Sequence, residues 1–292
     1  MAQYGSQEMS APLLKVMMRR PGASLIKADP ADWNYVTPFD STKAIAQYQG
    51  FADLIVKAGA EIIWLEDQDD GLADAMFTHD PSLMTDKGAI ILNMGKLRRR
   101  DEPALHEAVY QQHQIPVAGR ITGEATVEAG DCIWLDPKTL LVGRGIRTNQ
   151  QGIDQLTAIL APDGISVIAF DLPLWDGEAA CLHLLSVLSP LADDLVLAFL
   201  PLLPVALYRL LKQRGIRIVE APKDEFLASN GLSLNVLPTR PSELIMLSGF
   251  PKTTAALEAA GCTVETFEGD ALCIACEGGP TCLTRPVHRQ AA

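Results

Sequence analysis

The sequence predicts an α/β protein in which five similar units close into a propeller-like ring. Short runs rich in Val and Ile alternate with amphipathic runs of helix length. The centres of five candidate helices fall near residues 50, 107, 156, 207 and 256, so they recur about every 50 residues. A unit of that length that holds several short strands and one helix is typical of repeat architectures. We therefore expect a five-bladed α/β propeller of strand-strand-helix-strand units.

The strand candidates are short, mostly apolar runs bounded by turn residues. They lie at 13–20, 60–66, 88–93, 132–136, 139–144, 166–171, 195–200, 216–221, 244–248, 263–267 and 271–276. The segment Asp136-Pro137-Lys138 lies between two of them and predicts the turn of a hairpin.

The helix candidates begin after residues that commonly cap helices. One follows Asp40-Ser41-Thr42 and another follows Thr148-Asn149. The other three span about 102–112, 202–213 and 251–260, and Gly261 is a suitable residue to end the last of them.

Composition limits the class of protein. The chain has 292 residues, of which 48% are hydrophobic and 21% charged, and no Pro/Ser/Gly-rich linker divides it, so we expect one domain over residues 1–292. A net charge of −12 argues against nucleic acid or an anionic membrane surface as a partner. The most apolar stretch, 195–211, contains Pro201 and Pro204 and is shorter than the ~20 residues of a membrane span.

The six cysteines fit a reducing compartment. They are Cys132, Cys181, Cys262, Cys273, Cys276 and Cys282. The first residues show no apolar core of a secretory signal, so we expect a cytoplasmic protein with reduced thiols. Cys273 and Cys276 have the spacing of a redox or zinc pair, but no second Cys pair or His pair completes a tetrahedral site, so no metal is expected.

The segment GGPTC, which ends at Cys282, is the first candidate for chemistry. Gly278 and Gly279 permit backbone conformations that other residues avoid, and Pro280 stiffens the turn. The turn either presents the Cys282 thiol to a site or simply buries a small side chain in the core.

Three further residues offer partners for a thiol. Asp80 follows an alternating run and should lie at a strand end, Glu128 precedes a glycine turn, and His183 lies among leucines. Each also has a structural explanation: a turn residue before Pro81, a solvated loop acid, and a core histidine. Together, a cysteine, a histidine and two carboxylates form a set suited to nucleophilic catalysis.

These motifs, in their order along the chain, carry a family resemblance. The series FTHDP, RRRDE, TVEAGD, RTNQQG, LHL and GGPTC resembles the guanidino-group-modifying enzymes, which include dimethylarginine dimethylaminohydrolase, arginine deiminase and the amidinotransferases. The resemblance runs from about residue 13 to residue 286. The fold of that superfamily, the pentein fold, is a five-bladed α/β propeller, which agrees with the repeat read above.

The resemblance implies a role for each matching residue. Cys282 matches the nucleophile, His183 the general acid/base, and Glu128 the acid that orients this histidine. Asp80 matches the carboxylate that binds the guanidinium, and Asp74 matches an acid near the amino end of the substrate.

The resemblance also implies roles for two arginines, and the chain departs from the family's motifs at two positions. Arg99 and Arg147 match the arginines that hold the substrate's α-carboxylate. Leu185 stands where arginine deiminases carry a second guanidinium-binding Asp, which favours the dimethylarginine-hydrolase pattern. His79 replaces an acid of that pattern beside the reacting group.

The resemblance implies hydrolysis of arginine or an N-methylated arginine through a covalent thiouronium on Cys282, with no metal or organic cofactor. The products would be citrulline and an amine or ammonia. Alternatives are an arginine deiminase or dihydrolase, an amidinotransferase, or a non-catalytic amino-acid-binding module. The expected partner is a small guanidine substrate, and a homodimer is possible because family members are often dimers.

Overall fold

Five three-stranded sheets form the framework of the chain. The computed structural model describes residues 3–33, 35, 40–66, 70–175, 177 and 182–290. The strands of the five sheets, in chain order, are β1 (Leu13–Met18), β2 (Glu61–Trp64), β3 (Ser82–Thr85), β4 (Gly88–Ile91), β5 (Val117–Arg120), β6 (Cys132–Asp136), β7 (Thr139–Arg144), β8 (Ser166–Asp171), β9 (Leu188–Ala192), β10 (Leu195–Ala198), β11 (Arg217–Glu220), β12 (Leu237–Arg240), β13 (Glu243–Leu247), β14 (Thr263–Phe267) and β15 (Arg285–Arg289).

Eight α-helices accompany these strands. They are α1 (Ala23–Ile26), α2 (Pro30–Trp33), α3 (Ser41–Lys57), α4 (Glu102–Gln112), α5 (Gln150–Leu160), α6 (Val205–Gln213), α7 (Lys223–Ala228) and α8 (Pro251–Ala259) among the described residues. The five predicted helices correspond to α3, α4, α5, α6 and α8, and are confirmed.

Every sheet has the same plan. Its middle strand pairs antiparallel with one neighbour and parallel with the other, as β7 does with β6 and β8. In four blades the antiparallel neighbour is reached through a short turn, whereas the parallel one requires a crossover in every blade, which a helix such as α5 supplies. The predicted strand-strand-helix-strand unit of a five-bladed α/β propeller is therefore confirmed.

The two ends of the chain close the ring. β15, the last strand, pairs antiparallel with β1 of the first blade, with Leu13 opposite Arg289. The first strand of each blade, counting β15 for the first, lies on the ring axis: residues of β15, β3, β6, β9 and β12 surround one common cavity. The middle and outer strands and the helices therefore lie further from the axis.

Side chains at the helix starts explain two of the correct predictions. The Asp40 carboxylate accepts a hydrogen bond from the backbone N–H of Lys43 at the start of α3 (3.0 Å). The Asn149 side chain accepts one from the N–H of Gly152 in α5 (2.8 Å). Each interaction satisfies one of the unpaired N–H groups at a helix N-terminus.

Ten of the eleven predicted strands are present, and the one over 271–276 is wrong. Asp270–Ile274 is a π-helix packed against α3. The Gln47 side chain of α3 accepts a hydrogen bond from Ala271 N (3.0 Å) and donates one to the Asp270 carboxylate. A short, wholly apolar run does not distinguish a buried strand from a buried helical turn, so the sequence pattern was ambiguous here.

Five strands were not predicted, and three of these lie on the ring axis and contain proline. Pro190, Pro238 and Pro286 lie in β9, β12 and β15. Proline lacks an N–H group and is tolerated in a sheet only on an edge strand. Because the axial strands are edge strands of their blades, proline is permitted there, but it weakens the strand signal.

Within the described residues, none of the helices has both the length and the apolar character needed to cross a bilayer. The apolar stretch 195–211 contains β10 and most of α6, as its interruption by prolines predicted.

Candidate active site

Six of the eight predicted site residues line one cavity of about 140 Å³. They are Cys282, His183, Asp80, Asp74, Arg99 and Arg147. These residues come from distant parts of the chain, and the ring brings them together. A seventh, Glu128, lies directly behind the cavity wall, where it bonds His183.

Close packing, not unusual backbone angles, explains the two glycines before Cys282. Neither Gly278 nor Gly279 has a positive φ. A Cβ on Gly278 would lie 2.2 Å from the Phe77 ring, and one on Gly279 would lie 2.5 Å from the Asn235 side chain. The predicted turn is present, but its glycines serve to let these two side chains approach the backbone.

Asn235 connects this turn to the thiol. Its Nδ2–H donates to Cys282 Sγ (3.2 Å), and its Oδ1 accepts from the backbone N–H of Thr281 (2.9 Å). One amide therefore fixes both the backbone before Cys282 and the side chain of Cys282. Sequence analysis missed Asn235, because nothing in its local sequence indicates a partner that lies 47 residues away.

The surroundings of Cys282 shift the pKa of its thiol in opposite directions. Burial and the Asp80 carboxylate raise the pKa of the Cys282 thiol, while a backbone hydrogen bond at Gly279, the Asn235 amide and the charge of His183 act to lower it. Cys276 lines the same cavity, and burial raises the pKa of its thiol to about 12. Of these two thiols, Cys282 has the hydrogen-bond donor that favours a thiolate.

His183 and Glu128 form the predicted pair. His183 Nε2 lies 2.8 Å from Glu128 Oε2. The Glu128 carboxylate is fully buried and also accepts from the backbone N–H of Lys96 (3.0 Å) and from Arg147 Nη1 (3.3 Å). Burial alone would raise the pKa of Glu128, but its hydrogen bond to His183 and the charges of His183 and Arg147 lower it. The ionised Glu128 carboxylate fixes the orientation of the His183 ring through this hydrogen bond.

Asp80 lies against Gly130 and His183. Asp80 Oδ1 accepts from Gly130 N (3.0 Å), and a Cβ at Gly130 would lie 2.4 Å from His183 Nδ1 and 2.9 Å from Asp80 Oδ1. Burial opposes ionisation of Asp80, but the charges of Arg99 and His183 and the hydrogen bond from Arg99 hold its pKa below the ordinary value. Asp80 is therefore a buried anion facing the cavity.

Arg99 is engaged inside the protein more fully than predicted. Its Nη1–H donates to Asp80 Oδ2 (2.7 Å), its Nη2–H groups donate to Phe77 O and Glu102, and its Nε–H donates to Glu102. At most one N–H group remains for a ligand. A bidentate contact of Arg99 with a substrate carboxylate is thus not available in this arrangement, because Arg99 is bonded to Glu102 and Asp80.

His79 lies outside the cavity lining, which corrects its predicted position beside the reacting group. Its Nδ1 lies 3.0 Å from Thr284 O, and Arg285 Nη2 lies beside the same ring. Burial and the charge of Arg285 lower the pKa of His79 to about 3, so the ring is neutral. The side chain faces the ring axis, where it borders the axial cavity.

Asp74 is held by two groups that sequence analysis did not identify. Lys96 Nζ donates to Asp74 Oδ2 (2.6 Å), and Tyr35 Oη donates to Asp74 Oδ1 (2.8 Å). Lys96 lines the cavity beside Arg147, so one wall carries two cations and one anion. That wall matches the charges of an amino acid's α-carboxylate and α-ammonium groups.

One group of side chains has the geometry of a metal site. Among the residues that the structure describes, the ligand atoms of Asp80, Glu128 and His183 all lie within 4.8 Å of one another. The guanidinium groups of Arg99 and Arg147 already bond the two carboxylates. This arrangement favours internal ion pairs over a bound cation.

The fold and this cavity define an α/β-propeller enzyme with a thiol, an imidazole and paired charges. A family profile described as arginine deiminase matches residues 70–203. N(G),N(G)-dimethylarginine dimethylaminohydrolase of Pseudomonas aeruginosa is 27% identical over 272 residues, which cover 92% of this chain and 97% of that protein. The same-named protein of Streptomyces coelicolor is 27% identical over 94% of this chain and 96% of its own length.

Other relatives and solved structures agree. Arginine deiminase of Rhodococcus erythropolis is 25% identical over 75% of this chain and 61% of its own length. A dimethylarginine dimethylaminohydrolase adduct with 4-chloro-2-hydroxymethylpyridine superposes with a TM-score of 0.75 at 25% identity, over 94% of this chain and 99% of that one. An amidinotransferase from Microseira wollei shares the fold, with a TM-score of 0.79 at 17% identity over 100% and 98% of the two chains.

The chain is therefore similar, in sequence and in fold, to the guanidino-group-modifying enzymes. Its hydrolase relatives act on C–N bonds of linear amidines, and the chain is an enzyme of that class.

Proposed function

We propose that this enzyme hydrolyses the guanidino group of arginine or an N-methylated arginine, with Cys282 as nucleophile. The observation that carries the proposal is the meeting of Cys282, His183 and Asp80 around one cavity. The three supply a thiol, a proton carrier and an anion to receive a cationic carbon centre. Binding of an amino acid without catalysis requires no nucleophile, so the presence of Cys282, His183 and Asp80 around one cavity argues against a non-catalytic binding module.

Asp80 binds the guanidinium in this mechanism. Each carboxylate oxygen accepts one hydrogen bond within the protein, from Gly130 N and from Arg99 Nη1, and retains capacity for another. Two N–H groups of a planar guanidinium fit such a carboxylate and are fixed in orientation by it. The Asp74, Lys96 and Arg147 wall receives the α-ammonium and α-carboxylate groups, with a single further hydrogen bond possible from Arg99.

The reaction then proceeds in two halves. The Cys282 thiolate forms a bond to the guanidinium carbon, and the C–N bond to the departing amine breaks as His183 gives that amine a proton. Water next attacks the carbon of the thiouronium and loses one proton to His183. The C–S bond then breaks while the remaining hydroxyl proton passes to the sulfur, which releases the ureido product and the Cys282 thiol. The products are citrulline and an amine or ammonia.

The substrate itself helps to form the thiolate. Burial and Asp80 raise the pKa of the Cys282 thiol in the ligand-free site. A guanidinium bound to Asp80 neutralises that carboxylate and adds a positive charge beside Sγ. Both effects lower the pKa of the thiol, so the nucleophile is activated when substrate binds.

Leu185 supports a substrate with an N-methyl group. This leucine lines the site cavity, where a second carboxylate would favour an unsubstituted guanidinium. Burying a methyl group against an apolar side chain contributes about 0.8 kcal/mol. We expect mono- and dimethylarginine to be hydrolysed at least as well as arginine. The rival products of a deiminase, a dihydrolase or an amidinotransferase are outcomes of the same test.

The test combines a substrate panel with matched cysteine variants. Arginine, its methylated forms and agmatine are incubated with the enzyme, and the products are identified by mass spectrometry. Cys282→Ser should abolish turnover, whereas Cys276→Ser, a change in the same cavity, should retain most of it. More than a tenth of wild-type turnover in Cys282→Ser would remove this residue from the mechanism, and a tenfold preference for arginine would reject the methylated substrate.

A further inference from the structure

A second cavity, of about 20 Å³, lies on the ring axis, and the axial strand of each blade borders it. Leu185 lines both this cavity and the active-site cavity. A space of about 10–15 Å³ on this measure holds one water-sized particle. The cavity therefore suits one small ligand and is too small for a polyatomic anion such as phosphate.

Two arginines of β15 bring positive charge to this cavity. Arg285 and Arg289 line it, and each is only 5% exposed. Arg285 Nη1 donates to the backbone carbonyl of Ser82, and Arg289 donates to the carbonyls of Ala11 and Pro238. Within the described residues, the hydrogen-bond partners of both guanidinium groups are thus neutral.

Neither guanidinium has an anionic partner among the residues that the structure describes. The buried Arg99, by contrast, pairs with both Asp80 and Glu102, and the buried Arg19 pairs with Asp70. Arg285 Nε is fully buried and has no hydrogen-bond partner in the described part of the chain. An unpaired charge and an unsatisfied donor in a protein interior both cost free energy, so a compensating anion is favoured.

The neighbouring groups do not remove this excess of positive charge. His79 is neutral, and Arg285 Nη2 lies 3.1 Å from its Nδ1 and 3.4 Å from its Nε2, so the ring brings no negative charge to Arg285. Burial lowers the pKa of Arg285, and burial together with the charge of Arg285 lowers the pKa of Arg289 to about 9. Both arginines remain charged near neutral pH.

We propose that Arg285 and Arg289 hold a monovalent halide, chloride in the cell, in the axial cavity. The unpaired Arg285 Nε–H supplies a donor, and the two guanidinium groups supply the charge. Leu83, Met84 and Trp134 line other sides of the cavity, and a large, polarisable, weakly hydrated anion tolerates such apolar neighbours better than a carboxylate does. The bound ion offsets part of the positive charge of β15, which begins three residues after Cys282.

The first test uses the wild-type enzyme. Chemical unfolding is measured across a series of sodium chloride concentrations, with sodium gluconate added to keep the ionic strength constant. One ion that binds only the folded state makes the unfolding constant fall tenfold for each tenfold rise in chloride above its Kd. Crystals grown in sodium bromide should show an anomalous-scattering peak between Arg285 and Arg289.

Variants separate this site from general salt effects. Arg289→Gln should lose the chloride dependence, while Arg209→Gln, on an exposed position of α6, should keep it. If Arg289→Gln does not fold, the chloride dependence of wild-type unfolding and the bromide peak in wild-type crystals still test the proposal. Identical unfolding in chloride and gluconate, a peak elsewhere, or water at the axial position would overturn the proposal. A bromide peak without any chloride dependence would mean an adventitious ion only, and would also overturn it.

Discussion

Replacing Gly130 by alanine should damage catalysis much more than it damages stability. The new Cβ would lie 2.4 Å from His183 Nδ1, while an ordinary contact begins at 3.4 Å. The imidazole must therefore move by about 1.0 Å, the difference between these distances. The same Cβ would lie 2.9 Å from Asp80 Oδ1, so the carboxylate is displaced as well.

The size of the effect follows from these displacements. A misplacement of about 1 Å in a reacting group costs on the order of 10²-fold in rate. Overpacking of a buried position costs about 1–3 kcal/mol of folding free energy. We expect kcat to fall about a hundredfold, while the protein remains folded at room temperature.

The assay compares kcat, KM and thermal unfolding for wild type, Gly130→Ala and Gly145→Ala. A Cβ at Gly145 would lie 3.6 Å from Leu172, an ordinary contact, so this variant controls for the added methyl group. If Gly130→Ala retains kcat within threefold of wild type, His183 and Asp80 do not need their observed positions. The proposed roles of both residues would then be wrong.

Three further predictions concern side chains around the site. Asn235→Leu removes the hydrogen-bond donor to Cys282 Sγ. A hydrogen bond to a charged group contributes about 1.5–3 kcal/mol, so alkylation of the Cys282 thiol by iodoacetamide at pH 7 should slow about tenfold. An unchanged alkylation rate would refute the role of Asn235. Burial raises the pKa of Asp131 to about 6, so the folded state binds a proton that the unfolded state has lost, and this contribution to stability falls as pH rises from about 4 to 6. Asp131→Asn should remove that slope in unfolding measured across this range, and a slope equal to wild type would contradict the assignment. Arg99→Gln leaves two buried carboxylates unpaired, so it should destabilise the fold by about 3–5 kcal/mol and lower kcat. Arg100→Gln, at an exposed position, should change stability by less than about 0.5 kcal/mol. Equal unfolding midpoints of the two variants would refute this reasoning.

The predictability of the fold depended on where each strand lies in its blade. Middle and outer strands such as β7 and β8 have continuous apolar runs and were found from the sequence. The axial strands β9, β12 and β15 carry proline, which edge strands permit, and were missed, whereas the axial β6 has no proline and was found. The outer strand β5 was also missed. The π-helix at Asp270–Ile274 was read as a strand, because its fit against α3 depends on a contact with Gln47, more than 220 residues away in sequence.

In the candidate site, too, some features could be predicted from the sequence and others depend on contacts that form only in the folded chain. The structure places Cys282, His183 and Asp80, which motif order selected, around one cavity, because the ring brings the motif-bearing loops together. A motif does not reveal which way a side chain faces, so it could not show that His79 points to the ring axis. Asn235 and Lys96 carry no motif, and only the folded chain shows their contacts with Cys282 and Asp74.

Glu102 explains how Asp80 can pair with Arg99 and bind the guanidinium of a substrate at the same time. With Asp80 as its only anion, Arg99 would compete directly with a substrate for the same carboxylate. Arg99 Nε and Nη2 instead bond Glu102, at 3.0 Å and 2.8 Å, so the arginine stays paired when Asp80 accepts a second cation. Arg99 and Glu102 together form a nearly neutral support that holds Asp80 in place, and the charge of Asp80 remains available to the ligand. For the proposed hydrolase, this pairing turns a buried ion cluster into a guanidinium-binding site.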